Sequence, residues 1–214
     1  MRIAKLTILA LVISGCEPDY QYQGYDMPDH FPLDGSKLEW EYSSTDTTIG
    51  NELLVEKVGA AVQNDVEVVT LEHWIKDPEG AEDLAWTVKW ASDSVKGVLI
   101  YGYIDHANDN EVNFDPPILF AEGHGIPGDQ LITQTGGFTW TATFERVEGC
   151  ETYWVPGWAD EACLVVSLDD GDETAVTNSI IVGEYWLVPR YGAAWLDLDA
   201  YDARWSLANH DWEQ

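Results

Sequence analysis

The chain has 214 residues, of which 39 are acidic and 10 are basic, so its formal net charge is −29. This charge argues against binding to nucleic-acid phosphates or to anionic lipid headgroups, because both would be repelled. Extended disorder is also excluded, since 45% of the residues are hydrophobic and disordered segments are poor in apolar residues.

The first 15 residues have the organisation of a secretory signal peptide. Two basic residues precede an apolar run at residues 6–13, which is shorter than the roughly 20 residues that a spanning helix needs. The sequence Ile-Ser-Gly-Cys at residues 13–16 resembles the lipobox of bacterial lipoproteins. That resemblance implies cleavage before Cys16, lipidation of its thiol and acylation of the new amino terminus. The alternative is an ordinary signal peptide followed by a chance cysteine.

Cleavage at this site leaves eight basic and 39 acidic residues, a net charge of −31. The lipid on Cys16 is then the expected membrane attachment in the bacterial cell envelope. In the enteric lipoproteins that the junction resembles, Asp after the lipidated cysteine favours the inner membrane. Glu17 therefore favours the outer membrane, on its periplasmic face or at the cell surface. Residues 16–30 are polar and are expected to form a tether, followed by one domain at residues 31–214.

The domain is predicted to be all-β and mostly antiparallel, with about ten strands. Apolar residues alternate with polar ones in the manner of half-buried strands, and no helical stripe runs for twelve residues. The strands form either a curved sheet or barrel, or a two-sheet sandwich. Polar residues 105–115 are predicted to be a loop. The predicted strands cover residues 38–42, 52–58, 66–75, 84–90, 95–104, 138–144, 163–168, 176–182, 185–188, 194–198 and 203–207.

Two aromatic motifs lie near the ends of the predicted domain. Residues 31–42 contain Phe-Pro-Leu, then Gly, then Trp-Glu-Tyr, and residues 185–192 read Tyr-Trp-Leu-Val-Pro-Arg-Tyr-Gly. They resemble the opening and the close of a set of uncharacterised proteobacterial lipoproteins. Arg190 departs from the glycine that is usual in those proteins. The resemblance implies structural roles only and carries no activity.

Once Cys16 is lipidated, Cys150 and Cys163 remain, and two cysteines in an exported chain are typical of a disulfide. The alternative is two free buried thiols. The segment between them contains three aromatic residues that suit carbohydrate stacking or a protein contact. These rings would otherwise cap one end of the core. They are Tyr153, Trp154 and Trp158.

Two acidic loops have oxygen ligands of the kind that calcium prefers, but neither matches an EF-hand. Asp and Asn are also common in hairpin turns, which explains both loops without a metal. No metal and no cofactor are therefore expected. The low-ranking candidate ligands are Asp105, Asp109, Glu111, Asp169, Asp170 and Asp172.

The sequence carries no Gly-x-Ser-x-Gly elbow, phosphate-binding loop or His-Glu-x-x-His helix. We therefore expect a non-enzymatic, lipid-anchored envelope protein with a binding or structural role. Its partner would be an envelope protein or a carbohydrate. One alternative is a carrier of apolar ligands in a curved sheet, and a less favoured one is a polymer hydrolase with two facing carboxylates.

Mass spectrometry of the unreduced protein tests the cysteine pairing. We expect one peptide pair linked through Cys150 and Cys163, because the chain is predicted to be exported and the loop that the two cysteines close is short. Recovery of both cysteines as alkylated thiols from native protein would contradict the bond.

Overall fold

The computed structural model describes residues 24–34, 37–44, 52–149, 162–171, 179–201 and 204–213. Strands dominate these ranges, and one short 3-10 turn occurs at Pro28–His30. In chain order the strands are β1 (Tyr25–Asp26), β2 (Lys37–Ser44), β3 (Glu52–Gln63), β4 (Val66–Lys76), β5 (Glu82–Asp93), β6 (Gly97–Asp105), β7 (Asn110–Ala121), β8 (His124–Gly125), β9 (Gln130–Thr135), β10 (Phe138–Gly149), β11 (Ala162–Asp169), β12 (Gly183–Val188), β13 (Gly192–Leu198) and β14 (Arg204–Glu213).

Twelve of these strands form one antiparallel sheet in the order β7-β6-β5-β4-β3-β2-β14-β13-β12-β11-β10-β9. The sheet curls until its edge strands β7 and β9 lie side by side, where the Leu119 N–H donates to Thr133 Oγ1 at 3.2 Å. The result is a nearly closed barrel, and β1 and β8 form a separate two-stranded sheet. The predicted all-β, antiparallel class is confirmed.

Alternation along the strands places the apolar side chains inside the barrel. On β2, Leu38, Trp40 and Tyr42 are buried, whereas the intervening Glu39 and Glu41 are half-buried and exposed. Burial of each large apolar side chain contributes about 1.5–3 kcal/mol. The same pattern on the other strands joins their inner side chains into one large apolar core.

A second apolar cluster lies on the opposite face of β4–β6. Ala91 of β5 and Leu99 of β6 pair with each other and belong to this cluster. Their neighbours along the chain, Trp90 and Ile100, point to the other face and belong to the main core. Strand β6 is therefore buried on both faces, which fits its continuous apolar sequence. The cluster comprises Val66, Val68, Ala91, Leu99 and Tyr101.

Strand β7 corrects the loop predicted at residues 105–115, because only residues 106–109 form a turn. Pro116 and Pro117 lie within the strand, where they lack the N–H groups of a ladder. The sheet tolerates them because β7 is an edge strand and because the pairing with β6 jumps from Asn113 to Ile118.

Two further elements differ from the prediction. The sequence pattern does not predict β9, since its six residues mix Gln and Thr with two aliphatic residues. The predicted strand at residues 176–182 is also wrong over its described part. Residues 179–182 make a turn that buries Ile180 and Ile181. The next strand after β11, which pairs with it, is β12.

The described fold begins within the predicted tether. Residues 25–33, here called the plug, contain β1 and the 3-10 turn, and β1 pairs with β8. Met27 is only 1% exposed and contributes to the main core together with Phe31 and Leu33. The predicted boundary at residue 30 is therefore too late, because burial of single apolar residues holds this polar segment in place.

The plug crosses one end of the barrel. The Met27 N–H donates to the Gly123 carbonyl at 3.3 Å, and the Arg190 N–H donates to the Asp29 carbonyl at 2.7 Å. Between them, Ser92 Oγ donates to the Pro28 carbonyl at 3.4 Å. The plug thus contacts the β7–β9 connection, the end of β5 and the β12–β13 turn.

Replacement of Met27 tests whether the plug is part of the cooperative fold. We expect Met27→Ala to lower the free energy of unfolding by about 2–5 kcal/mol, because it leaves a cavity in a buried site. The matched control Met27→Leu conserves volume and should cost less than about 1.5 kcal/mol. Urea denaturation measures both variants, and an unchanged midpoint for Met27→Ala would contradict the assignment.

Candidate functional site

A small cavity lies between the plug and the interior of the barrel. Its volume is about 50 Å³, whereas pockets for drug-sized ligands occupy roughly 300–1,000 Å³. The plug covers it with Phe31, Pro32 and Leu33, so a lipid-sized ligand would need the plug to leave. The aromatic side chains of its wall are Phe31, Trp40, Tyr42, Trp86, Trp90 and Tyr185.

The two tyrosine hydroxyls of this aromatic wall donate to backbone carbonyl groups. Tyr42 Oη donates to the Ala193 carbonyl at 2.8 Å, and Tyr185 Oη donates to the Ile181 carbonyl at 2.7 Å. Burial raises the pKa of both tyrosines well above its ordinary value. Both hydroxyls therefore remain protonated at neutral pH and serve as structural donors.

His73, a histidine inside a predicted strand, also lines the cavity. Its ring stacks on Trp86 with 4.6 Å between ring centroids. It is 7% exposed, and its Nδ1 atom has no hydrogen-bond partner among the described residues.

Burial lowers the pKa of His73 to about 3, and the backbone groups of Leu71 and Trp86 oppose that shift only in part. The imidazole is consequently neutral at pH 7. A general base works best with a pKa near the operating pH. His73 has instead the environment of a neutral core aromatic residue.

The two aromatic motifs that resemble the lipoprotein set meet beside the cavity. Trp40 Nε1 donates to the Tyr191 carbonyl at 2.8 Å, next to the contact of Tyr42 with Ala193. Arg190 adopts the left-handed φ of 68° that favours glycine. The turn therefore keeps a glycine-like geometry at Arg190, and the motifs form a structural junction.

The candidate calcium ligands on the β6–β7 side are used in local hydrogen bonds. The Asp105 carboxylate accepts from the N–H groups of Ala107 and Asn108 at 3.0 and 3.1 Å. Glu111 accepts from Lys89 Nζ at 3.1 Å, and Asp109 has a left-handed φ of 48° in the turn. These contacts fit the turn explanation of the first loop.

The second acidic loop lies at the same end of the barrel, opposite the plug. Asp169 accepts from the Gly171 N–H and Asp170 from the Ser179 N–H at 3.4 Å, while Asp172 lies outside the described residues. No three His, Cys, Asp or Glu side chains are grouped for metal binding within the described ranges.

Sequence reasoning missed Asp199, which belongs to this acidic end. Partial burial raises the pKa of Asp199, and the negative charges of Asp197, Asp169 and Asp170 raise it further. The carboxylates come from the β11–β12 connection, from β13 and from the turn after β13, so no local spacing in the sequence indicates their proximity.

Most of the remaining predicted site residues lie outside the described ranges: Cys16, Cys150, Tyr153, Trp154 and Trp158. Cys163 is described and is fully buried on β11. Its strand pairs with β10 as far as Gly149 opposite Ala162, which brings together the chain on the two sides of the predicted cysteine loop. The disulfide stays a prediction.

Because folding lowers the pKa of His73, the stability of the wild type should depend on pH. The substitution His73→Phe should weaken that dependence. Between the ordinary pKa of 6.5 and the folded value of about 3, the unfolded chain binds a proton that the folded chain does not. Through His73 alone, falling pH therefore destabilises the wild type by at most about 1.4 kcal/mol per pH unit. Urea denaturation should show that His73→Phe loses less stability from pH 7 to pH 5, by about 2 kcal/mol.

The control His124→Phe removes an exposed histidine and should retain the wild-type pH dependence. If His73→Phe and the wild type lost stability equally, the buried neutral state of His73 would be refuted.

The described ranges contain no helix with the length and apolar character needed to cross a bilayer. Comparisons of this chain with protein-family models, with curated proteins and with solved structures gave no match.

Proposed function

We propose that the protein is a non-enzymatic, lipid-anchored component of the bacterial cell envelope. In this proposal the barrel is a rigid body with a binding or structural role, and the lipid on Cys16 holds it at the membrane, with Glu17 favouring the outer membrane. The observation that carries the proposal is the plug. From residue 25 onward the chain is built into one end of the barrel, so an anchor at Cys16 would orient the whole domain.

Chain length supports this arrangement. Eight residue steps separate Cys16 from Gly24, where the described fold begins, and an extended chain covers at most about 3.6 Å per residue. The plugged end would therefore lie within about 29 Å of the lipidated residue. The net charge of −31 disfavours electrostatic attraction to an anionic membrane surface. Acyl chains would attach the protein without that attraction.

The filled interior supports a role without catalysis or lipid transport. The cavity of about 50 Å³ is small for a lipid, and the pKa of His73, about 3, is far from that of a general base. The surface of the barrel then provides the contacts. An envelope protein with a basic patch, or a neutral carbohydrate, is the proposed class of partner, because an acidic partner would be repelled.

The anchor is tested by fractionating cells that produce Cys16→Ser. We expect this variant to leave the membrane fraction or to accumulate as unprocessed precursor, because the lipidated thiol is absent. The control Glu17→Gln leaves the lipidated thiol in place and should stay with the membrane. Normal processing together with normal membrane retention of Cys16→Ser would contradict the proposal.

A further inference from the structure

Three exposed aliphatic side chains lie in or next to connections at the plugged end of the barrel. Val62 is 77% exposed beside the β3–β4 turn, Val95 is 87% exposed in the β5–β6 turn, and Ile126 is 39% exposed in the β7–β9 connection. Polar residues and glycine are usual at such positions. We call this end the N-terminal rim.

Direct contacts show that the three connections share this rim with the start of the described chain. Gly24 lies against Gly125, and Gly123 lies against Ser94. A Cβ atom added to Gly24 would be 3.0 Å from the Gly125 carbonyl oxygen, and one added to Gly123 would be 2.9 Å from the Ser94 carbonyl oxygen. Lys96 Nζ donates to the Asn64 carbonyl at 2.7 Å, which joins the β5–β6 turn to the β3–β4 turn. The exposed side chains therefore lie on the same rim as Gly24, from which the chain leads back to Cys16.

The tip that carries Val95 is held in a defined conformation. The Asp93 carboxylate accepts from the N–H groups of Val95 and Lys96 at 2.8 and 2.7 Å. These hydrogen bonds are also the main reason why the pKa of Asp93 is lowered. An ordered tip presents its apolar side chain without an additional ordering cost on contact.

We infer that the N-terminal rim rests on the bilayer, with Val62, Val95 and Ile126 in the interfacial region of zwitterionic phospholipid. This inference rests on the lipid anchor proposed above, which keeps Gly24, at the rim, within about 29 Å of the lipidated residue. Burial of apolar side chains in the interfacial region would add to the attachment that the acyl chains on Cys16 provide. Isolated exposed aliphatic residues are common on protein surfaces, but these three share one rim with the start of the described chain.

The charge of the rim selects among lipids. Asp65 and Glu122 are exposed next to the apolar side chains, and Asp93 is ionised. Anionic headgroups would therefore weaken the contact at low ionic strength, whereas phosphatidylcholine would not.

Photo-crosslinking of the full lipoprotein in phosphatidylcholine vesicles tests the inference. Val95→benzoylphenylalanine should form phospholipid adducts, detected by intact mass, at a yield roughly tenfold or more above the control Phe138→benzoylphenylalanine. Phe138 is also exposed, at 48%, but it follows the β9–β10 turn at the opposite end. Val62→benzoylphenylalanine and Ile126→benzoylphenylalanine should resemble the position-95 variant, and phosphatidylglycerol in the vesicles should lower their yields.

The same mass spectra distinguish failure of this inference from failure of the proposed function. A chain without acyl groups on Cys16 would overturn the anchor. An acylated chain with equal adduct yields at positions 95 and 138 would overturn the rim contact alone. Adducts between two copies of the chain, in place of lipid adducts, would also overturn it by identifying the rim as a contact between copies. A yield that phosphatidylglycerol leaves unchanged would refute the charge argument.

Discussion

Burial of the plug inside the end of the barrel is the interaction on which the rest of the arrangement depends. A barrel of twelve strands encloses more space than a small barrel does, and aromatic side chains fill much of it. Phe31 of the plug packs on Trp90 with 4.5 Å between ring centroids, and Trp90 packs in turn on Phe120 at 5.2 Å. The plug thereby links the core to the end of the chain that leads towards Cys16.

The junction between the two aromatic motifs explains why their residues are large and partly polar. Trp40 and Tyr42 fill the core with their rings, and each donates one hydrogen bond to the backbone of the β12–β13 region, at Tyr191 and Ala193. A buried carbonyl group without a donor costs about 1–3 kcal/mol. Phe could replace the ring volume of Tyr42 but could not satisfy Ala193.

The sequence predicted the fold class because alternation on β2, β5 and β10 is regular and rich in aromatic residues. It failed where the position in the sheet decides the structure. Pro116 and Pro117 argue against a strand in general, and only the edge position of β7 makes them acceptable. Met27 stands alone among polar residues, so local pattern gave no sign that distant strands would bury it.

The candidate site was less predictable than the fold, because its properties come from neighbours far away in sequence. The neutral state of His73 depends on burial, and the raised pKa of Asp199 depends on partial burial and on carboxylates of separate strands and turns. The proposed lipidation of Cys16 differs in kind, since a lipobox is a linear signal that can be recognised before folding. Its recognition does not depend on the structure.

Pairing of β2 with β14 has a consequence for the order of folding. The Asn209 side chain donates to Glu41 across a sequence separation of 168 residues, so the sheet is completed only when its last strand is available. Such non-local pairing slows folding, because the chain loses entropy on closing a long loop before the stabilising contacts between the strands form. Until β14 has been synthesised, the apolar faces of the N-terminal strands therefore stay exposed. A chaperone that shields these faces would increase the yield of folded protein.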